Sequence, residues 1–377
     1  MTSSYDIIII GGGIAGLFTA SRLRRMGYNL ILIEKNTLGG VQTLASQGMI
    51  HGGQKYTLQG NVTAQAASIA TMPARWEACF AGHGDIDLST VKALSETQVM
   101  FPAQHSLFSF LSNFTVFAAS KAVNGETKKL SRAAFPAPVT RGPVYEMQEK
   151  VLETKSLVAA LAKTLQGRIF KGEATVFNNQ VTVNGAALTA KAIIFTAGAG
   201  NEALSQKTQR RPLRQVMVKP MPEALYGHGI VGKPKPRVTI TSHPDGKGSF
   251  IWYLGGNISE EGATLTEAET LAFAKKELQD IFPAIDWSQK EWATWHGERA
   301  EAFDPSGHLP AGPHIDVQGN TLIAWPTKMT FAPALADQIV GWLSQNNITP
   351  SVETPPPPLP AAEIGLYPWE NATWQTL

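Results

Sequence analysis

Six residues, Gly11-Gly12-Gly13-Ile14-Ala15-Gly16, have the spacing G-x-G-x-x-G. Each fixed glycine meets a different steric demand. Gly11 permits a tight turn, Gly13 lets the backbone approach a diphosphate where a Cβ would collide, and Gly16 lets a helix pack closely on a strand. The helix start that follows offers N–H groups and a positive dipole end to the phosphates. Glu34 stands about twenty residues further on, where a carboxylate accepts hydrogen bonds from the adenosine ribose hydroxyls. An acid there, with no arginine in its place, points away from a 2′-phosphate. The glycine pattern is weak alone and gains force only if a strand precedes it and a helix follows.

The flanking residues meet that condition. Residues 5–10 read as a strand buried on both faces. Residues 14–26 are apolar at helical spacing, with Arg22, Arg24 and Arg25 late, where cations suit the dipole, and Gly27 ends the helix. Residues 29–34 form a second buried strand, which completes one βαβ unit. Residues 36–60 are expected to be a long ordered loop, a kind that usually carries function. The apolar, aromatic stretch 101–120 reads as a core helix, and 156–165 as another helix. Short strands are expected at 168–170, 174–177, 181–183 and 192–196, the last running into Ala197-Gly198-Ala199-Gly200. Strands at 215–218, 238–241 and 249–254 look antiparallel. A helix at 266–281 begins with a capping box, Thr264 with Glu267 or Thr266 with Glu269. A strand at 321–325 and a helix at 330–343 follow, and the tail, with Pro355–Pro358 and Pro360, reads as extended.

Bulk properties bound the rest. A chain of 377 residues fits two domains, and 43% hydrophobic against 16% charged residues supports a large core. Net charge is +2, so no global basic field marks nucleic acid as a partner. Mean hydropathy is −0.08 and no segment is long and apolar enough to span a bilayer. Cys79 is the single cysteine and reads as a small buried residue; a reducing, cytoplasmic setting is expected. No signal peptide is read in Met1-Thr2-Ser3-Ser4. His296, His308 and His314 lack metal-ligand spacing, so no metal is expected.

The turn alone does not separate FAD from NAD. Three further segments resemble the flavoprotein family of D-amino-acid oxidase, glycine oxidase and FAD-linked glycerol-3-phosphate dehydrogenase. Residues 45–56, Ala-Ser-Gln-Gly-Met-Ile-His-Gly-Gly-Gln-Lys-Tyr, are similar to the Ser-x-x-x-Ile-His-Gly-Gly-x-x-Tyr stretch of the dehydrogenases. Thr196-Ala197-Gly198-Ala199-Gly200 resembles the strand-to-loop element that packs on the cofactor. Residues 325–334, Trp-Pro-Thr-Lys-Met-Thr-Phe-Ala-Pro-Ala, resemble the Gly-Gly-Lys-x-Thr and Thr-x-Ala-Pro patterns near the flavin. Pro326 and Thr327 stand where glycines are usual. The chain ends before the extra helical domain of the glycerol-3-phosphate dehydrogenases, so glycerol 3-phosphate is not the expected substrate.

The resemblance implies an α/β, two-domain FAD protein: a Rossmann-like domain with a central parallel sheet (1–85, 150–205, 305–350), a substrate domain with a mainly antiparallel sheet (86–149, 206–304), and a Pro-rich tail (351–377). It implies cofactor contacts from Gly11, Gly13, Ile14, Ala15, Gly16, Glu34 and Lys35. Thr43, Ala45, Ser46, Met49, His51, Gly52 and Gly53 of the loop join them, as do Thr175, Val176, Ala197, Gly198, Lys328, Met329 and Thr330. Lys328, at the entrance of the last helix, is expected to add its charge to the helix dipole beside the flavin N1–C2=O edge. Arg299, after Trp295-His296-Gly297-Glu298, resembles the family arginine that clamps a substrate anion through two parallel hydrogen bonds. The bland reading of Arg299 is a salt bridge with Glu298 or Glu301. His51 is a flavin contact, a general base or a covalent attachment point. Alternation puts Ile251 and Tyr253 on one strand face, where Tyr253 reaches the substrate or packs the core.

The expected function is oxidation of a small, anionic amine, amino acid or 2-hydroxy compound by hydride transfer to flavin N5, with electrons passing to oxygen, a quinone or another carrier. Three rivals share the turn: an NAD-dependent dehydrogenase, a non-catalytic flavin-binding protein, and a flavin enzyme acting on a macromolecule such as tRNA. The basic run Lys207–Arg214, with Arg210 and Arg211, keeps the last open, although such a run is more often a solvated face.

Overall fold

The computed structural model describes residues 3–52, 69–103, 128–131, 135, 144–231, 235–304, 310 and 312–377. In chain order the first elements are β1 (Ser3–Ile10), α1 (Ile14–Arg25), β2 (Leu30–Glu34), α2 (Met72–Phe80), β3 (Ala93–Ser95), β4 (Gln98–Pro102), β5 (Lys128–Leu130), β6 (Val144–Met147) and β7 (Val151–Leu152). Then come α3 (Thr154–Thr164), β8 (Ile169–Lys171), β9 (Ala174–Phe177), β10 (Gln180–Val183), β11 (Ala186–Phe195) and β12 (Thr208–Met221). The rest are β13 (Gly227–Ile230), β14 (Val238–Pro244), β15 (Phe250–Gly255), α4 (Asn257–Gly262), α5 (Glu267–Ile281), β16 (Glu291–Ala302), β17 (His314–Gln318), β18 (Thr321–Trp325), α6 (Ala332–Gln345) and β19 (Gln375–Thr376).

Two large sheets organise these elements. The first has the order β17-β18-β11-β1-β2-β8, with β10 and β9 added beside β11. Its centre is parallel: β1 runs with β2 and β11, β11 with β18, and β2 with β8. Parallel strands buried on both faces read as apolar runs, and from Ile7 to Ile10 the isoleucines of β1 alternate between the two faces. Ile7 and Ile9 pack with Leu17 and Phe18 of α1, Leu157 of α3 and Leu335 of α6. Tyr5, Ile8 and Ile10 pack on the other side with Val181, Phe195 and Trp325. Asp6 is the exception in this apolar strand. It is fully buried, accepts hydrogen bonds from the Asn29 and Ser351 amides at 2.9 Å, and pairs with Lys191 at 2.7 Å.

The second sheet has the order β19-β16-β12-β15-β14-β13-β4-β6-β5, antiparallel except for the β13–β4 pair. Val216, Val218, Trp252 and Leu254 bury one face against Leu271, Ala274 and Leu278 of α5. Met217, Ile251, Tyr253 and Ala293 form the other face, covered by Trp369 and Trp374 of the tail. The mixed α/β architecture, parallel centre and antiparallel second sheet agree with the sequence reading. The capping box of α5 is the Thr266–Glu269 one: Glu269 N–H donates to Thr266 Oγ1 at 3.3 Å and Thr266 N–H to Glu269 Oε2 at 2.9 Å.

Three expectations change. Phe101 lies on β4, paired in parallel with Gly229, rather than opening a helix; residues 104–120 of that expected helix lie outside the described residues. The run Lys207–Arg214 is only partly a solvated face: Lys207 and Arg210 are exposed, while Arg211 and Arg214 are half-buried. It forms the first half of β12, and Lys207 pairs with Asp316, Arg210 with Glu202 and Glu298, and Arg211 with Glu301. The tail is extended but bound to both sheets. Lys171 N–H donates to Pro360 O at 2.7 Å, Leu38 exchanges backbone hydrogen bonds with Glu363 and Gly365, and Gln375–Thr376 adds an edge strand to β16.

Candidate active site

In the first sheet, Gly11, Ala197 and Pro326 each follow the last residue or so of the parallel strands β1, β11 and β18, and Glu34 ends β2. The sheet order therefore gathers four of the expected cofactor segments at one edge, the carboxyl edge where open α/β sheets bind ligands. Gly11 has φ +114°, and a Cβ on it would come within 2.5 Å of Thr196 O. A Cβ on Gly16 would overlap the Gly11 carbonyl oxygen and lie 2.6 Å from Thr196 Oγ1. Thr196 Oγ1 in turn donates to Gly11 O at 2.9 Å. Gly13 differs. A Cβ there would meet only Thr43 Oγ1, at 3.5 Å, so the protein leaves that side open.

Gly13 is the N-cap of α1, extended, with no side-chain cap, and no acidic residue stands in the first turn. Thr43 Oγ1 accepts from Ile14 N–H at 2.9 Å and fixes the loop over the helix start. An uncapped helix start faced by space that a Cβ would fill suits a diphosphate. Glu34 accepts from Gly12 N–H at 2.6 Å and from Asn36 N–H at 2.7 Å. Those bonds hold its carboxylate at the turn, with lone pairs left for a ribose hydroxyl. Ile14, Ala15 and Gly16 are buried in α1, and Lys35 points outward to Glu173 at 2.6 Å.

The loop after β2 is laced on both sides. Ser46 Oγ donates to Thr43 O at 2.8 Å. Gln47 Nε2 donates to Tyr253 O at 3.0 Å, and Thr239 Oγ1 donates to Gln47 Oε1 at 2.7 Å. Met49 bridges to Val151, Ile50 N–H donates to Lys150 O at 3.0 Å, and Gly52 N–H donates to Glu149 Oε1 at 2.9 Å. Ala45 and His51 are buried. Gly53 lies outside the described residues, as does His308.

The other cofactor expectations fall as follows. Thr175 is exposed on β9, its hydroxyl 3.5 Å from Thr182 O, while Val176 packs on the Tyr5 side of the first sheet. Gly198 has φ +59° beside Gln42, and Ala197 N–H donates to Asn201 Oδ1 at 3.0 Å. Lys328 precedes a single 3-10 turn, Met329–Phe331, that runs straight into α6; its Nζ lies 5.8 Å from the centre of the Phe331 ring. Met329 is partly buried in the first core, and Thr330 is buried with its carbonyl accepting from Trp76 Nε1 at 3.0 Å.

The second sheet carries Tyr253 on β15 and Arg299 on β16. Tyr253 is fully buried; its hydroxyl donates to Ala45 O at 2.8 Å and is also bonded to Gln215 Oε1. Burial raises its pKa well above the ordinary tyrosine value. The strand that carries Arg299 ends at Ala302, which packs with Phe195 and Trp325 at the ends of β11 and β18. Neither Glu298 nor Glu301 takes Arg299 as partner: Glu298 pairs with Arg210, and Glu301 holds Arg211 through two bonds of 2.7 and 3.1 Å. Arg299 instead reaches Glu260 through one long contact of 3.4 Å, and its buried Nε has no hydrogen-bond partner. Burial, and then the charge of Arg211, pull its pKa below the usual arginine value, and the guanidinium still keeps its charge.

Sequence reasoning missed Gln47, Gln215 and Glu260, and with them the tail aromatics Tyr367 and Trp369 that stack at 4.4 Å beside His243. Only the tail carried a signal: aromatic residues are a large apolar payload for a stretch of chain read as extended and polar. Among the described residues no helix is long and apolar enough to cross a membrane, and no group of three or more His, Cys, Asp or Glu could hold a metal ion.

The model of the family described as FAD dependent oxidoreductase (DAO) matches residues 6–342. The probable FAD-dependent oxidoreductase PA4991 of Pseudomonas aeruginosa is 38% identical over 388 residues, which cover 98% of this chain and 98% of that protein. Its crystal structure superposes with a TM-score of 0.83 over 98% of both chains, at 34% identity among superposed residues. Glycine oxidase from Geobacillus kaustophilus shares the fold, with a TM-score of 0.64 and 17% identity over 91% of this chain and 95% of that one. Iminodiacetate oxidase from Chelativorans sp. BNC1 does too, at 0.63 and 14% over 91% and 98%.

Proposed function

Because the chain belongs to the family of FAD-dependent oxidoreductases and uses FAD, we propose that it oxidises a small anionic amine, amino acid or 2-hydroxy compound, with Arg299 holding the anion. The observation that carries this reading is the state of Arg299. Arg210 and Arg211 on β12 are each matched by carboxylates, while Arg299 keeps a buried Nε–H without a partner among the described residues and one long contact to Glu260. A half-satisfied guanidinium fork is suited to a carboxylate that arrives with the substrate.

FAD, when bound, supplies the hydride acceptor. The chain's own residues bind and orient. The α1 start, Thr43 and Glu34 would hold the ADP half, and the loop from Ala45 to Gly52 with Ala197 and Gly198 would run along the rest. Lys328 would place a cation next to the amino end of α6, where both favour negative charge. His51, buried in the loop, is best suited to touch the cofactor. Tyr253 acts as a positioning residue, since its hydroxyl is committed to Ala45 and Gln215. Glycine oxidase and iminodiacetate oxidase are named for small amino-carboxylates, which agrees with this reading; shared fold alone selects no substrate. In the run Lys207–Arg214, Lys207, Arg210 and Arg211 are paired with Asp316, Glu202, Glu298 and Glu301, which counts against a macromolecular substrate.

The test is anaerobic mixing of the yellow protein with amino acids, N-methyl amines and 2-hydroxy acids, followed by loss of flavin colour. Arg299→Lys should raise KM for the anionic substrate about ten- to hundredfold, the worth of one charge-assisted hydrogen bond. An unaltered KM would remove Arg299 from the reading.

A further inference from the structure

We propose that a cavity of about 460 Å³ between the tail and the second sheet binds a small oxyanion that carries an apolar body, anchored by Arg214. This site goes beyond the flavin reaction and does not rest on it. Of the residues around it only Ala45 belongs to the expected cofactor set. The volume lies in the range of small-molecule pockets.

The anchor is identified by what it lacks. Arg214 and His296 face each other across the β12–β16 ladder and both line the cavity. Arg210 and Arg211, on the same strand, are each matched by glutamates. Arg214 has no ion pair among the described residues, and its buried Nε has no hydrogen-bond partner. Glu267 lies on the cavity wall as well, at the first position of α5, yet forms no ion pair with Arg214 among the described residues. Arg214 lines the cavity without an ion pair among the described residues, and a two-oxygen anion would meet its guanidinium with matched geometry. Thr294 and Asn371 add polar groups to the lining, and Trp295 and Leu366 supply apolar wall. A bare ion would leave that wall exposed to water, so the ligand that fits has a ring or chain behind its oxyanion.

The experiment is isothermal titration calorimetry on the full-length, FAD-loaded protein with phenyl phosphate, 3-phenylpropionate and inorganic phosphate. One of the two phenyl compounds should bind one-to-one and at least about tenfold tighter than inorganic phosphate, and the tighter one names the oxyanion. Arg214→Met should weaken it at least about tenfold with flavin absorbance unchanged. Arg214→Lys, which keeps charge but loses the fork, should also weaken it and serves if the methionine variant does not fold. Arg299→Lys should leave it unchanged. Absence of saturable binding at millimolar concentrations, or unaltered binding in both Arg214 variants, overturns the proposal. So does equal loss in Arg299→Lys, which would place the anion at the substrate clamp.

Discussion

Replacing Gly13 with alanine separates two things that glycine-turn substitutions usually confound, protein stability and cofactor affinity. The new methyl group would meet only Thr43 Oγ1, at 3.5 Å, an ordinary contact. Gly13 has φ −78° and ψ −176°, which alanine adopts freely. Alanine is a poorer N-cap than glycine, by up to about 1 kcal/mol. It also restricts the unfolded chain, which is worth about 0.4–1 kcal/mol in the other direction. The two nearly cancel, so FAD-free Gly13→Ala should unfold within about 1 kcal/mol of the parent. The same methyl group stands where a diphosphate would approach the helix start. Loss of one charge-assisted hydrogen bond there costs about 1.5–3 kcal/mol, or roughly a ten- to 150-fold rise in the FAD dissociation constant. Gly16→Ala is the contrast. Its methyl group would strike the Gly11 carbonyl and Thr196 Oγ1, both fixed by hydrogen bonds. Overpacking of about 1–3 kcal/mol outweighs the helix preference of alanine, about 1 kcal/mol, so the FAD-free protein itself should be destabilised. Thermal unfolding without FAD and fluorescence titration with FAD read the two quantities apart. If Gly13→Ala bound FAD as the parent does, or lost as much FAD-free stability as Gly16→Ala, the assignment of that open space to the diphosphate would be wrong.

Lys328→Met should slow flavin reduction in stopped flow at least tenfold, about 1.4 kcal/mol of lost charge stabilisation, and equal rates would refute the role. Tyr253→Phe leaves Ala45 O without its buried donor, so it should lower stability by about 1–3 kcal/mol in urea titration; no loss would show that the loop does not lean on this bond. His243 is buried against Trp369 with its Nε2 unpartnered, and burial pushes its pKa down to about 3. The unfolded chain binds the extra proton between pH 6.5 and 3, so stability should fall as pH drops through that window, by roughly 2 kcal/mol from pH 6.5 to 5. His243→Phe should flatten that slope, and an unchanged slope would assign the acid sensitivity elsewhere.

What the sequence disclosed was local. The turn, α1 and the two flanking strands lie within about thirty residues, the span of one βαβ unit, so glycine spacing and apolar periodicity specify them together. Alternation also assigned Ile251 and Tyr253 to one face correctly. It could not name Ala45 as the partner of Tyr253, because that bond closes across 208 positions. The ion pairs of the charge run at 207–214 were hidden for the same reason. Its counter-charges on β16 become neighbours only through antiparallel register, which pairs Arg211 with Arg299 and Gln209 with Glu301. The tail was legible as extended and not as bound, because its partners, the backbone of Leu38 and Lys171 and the side chains of Arg24, Lys155 and Arg168, lie far from it in the chain.

Thr327 shows that the backbone path beside Lys328 is held against local preference. The resemblance places glycine there, and the chain has a β-branched residue at φ +64°. A left-handed conformation costs an L-residue about 1–2 kcal/mol. The Thr327 hydroxyl donates to Gly312 O at 2.8 Å, which returns part of the cost. Strain of this kind persists where the surroundings over-determine the backbone. Here they do so on both sides: Ile323 of β18 pairs with Phe195 of β11, and Thr330 O is held by Trp76. The path that delivers Lys328 to the start of α6 is thus fixed by packing rather than by glycine, and it stands at the carboxyl edge where the turn after β1 and the turn after β11 also emerge.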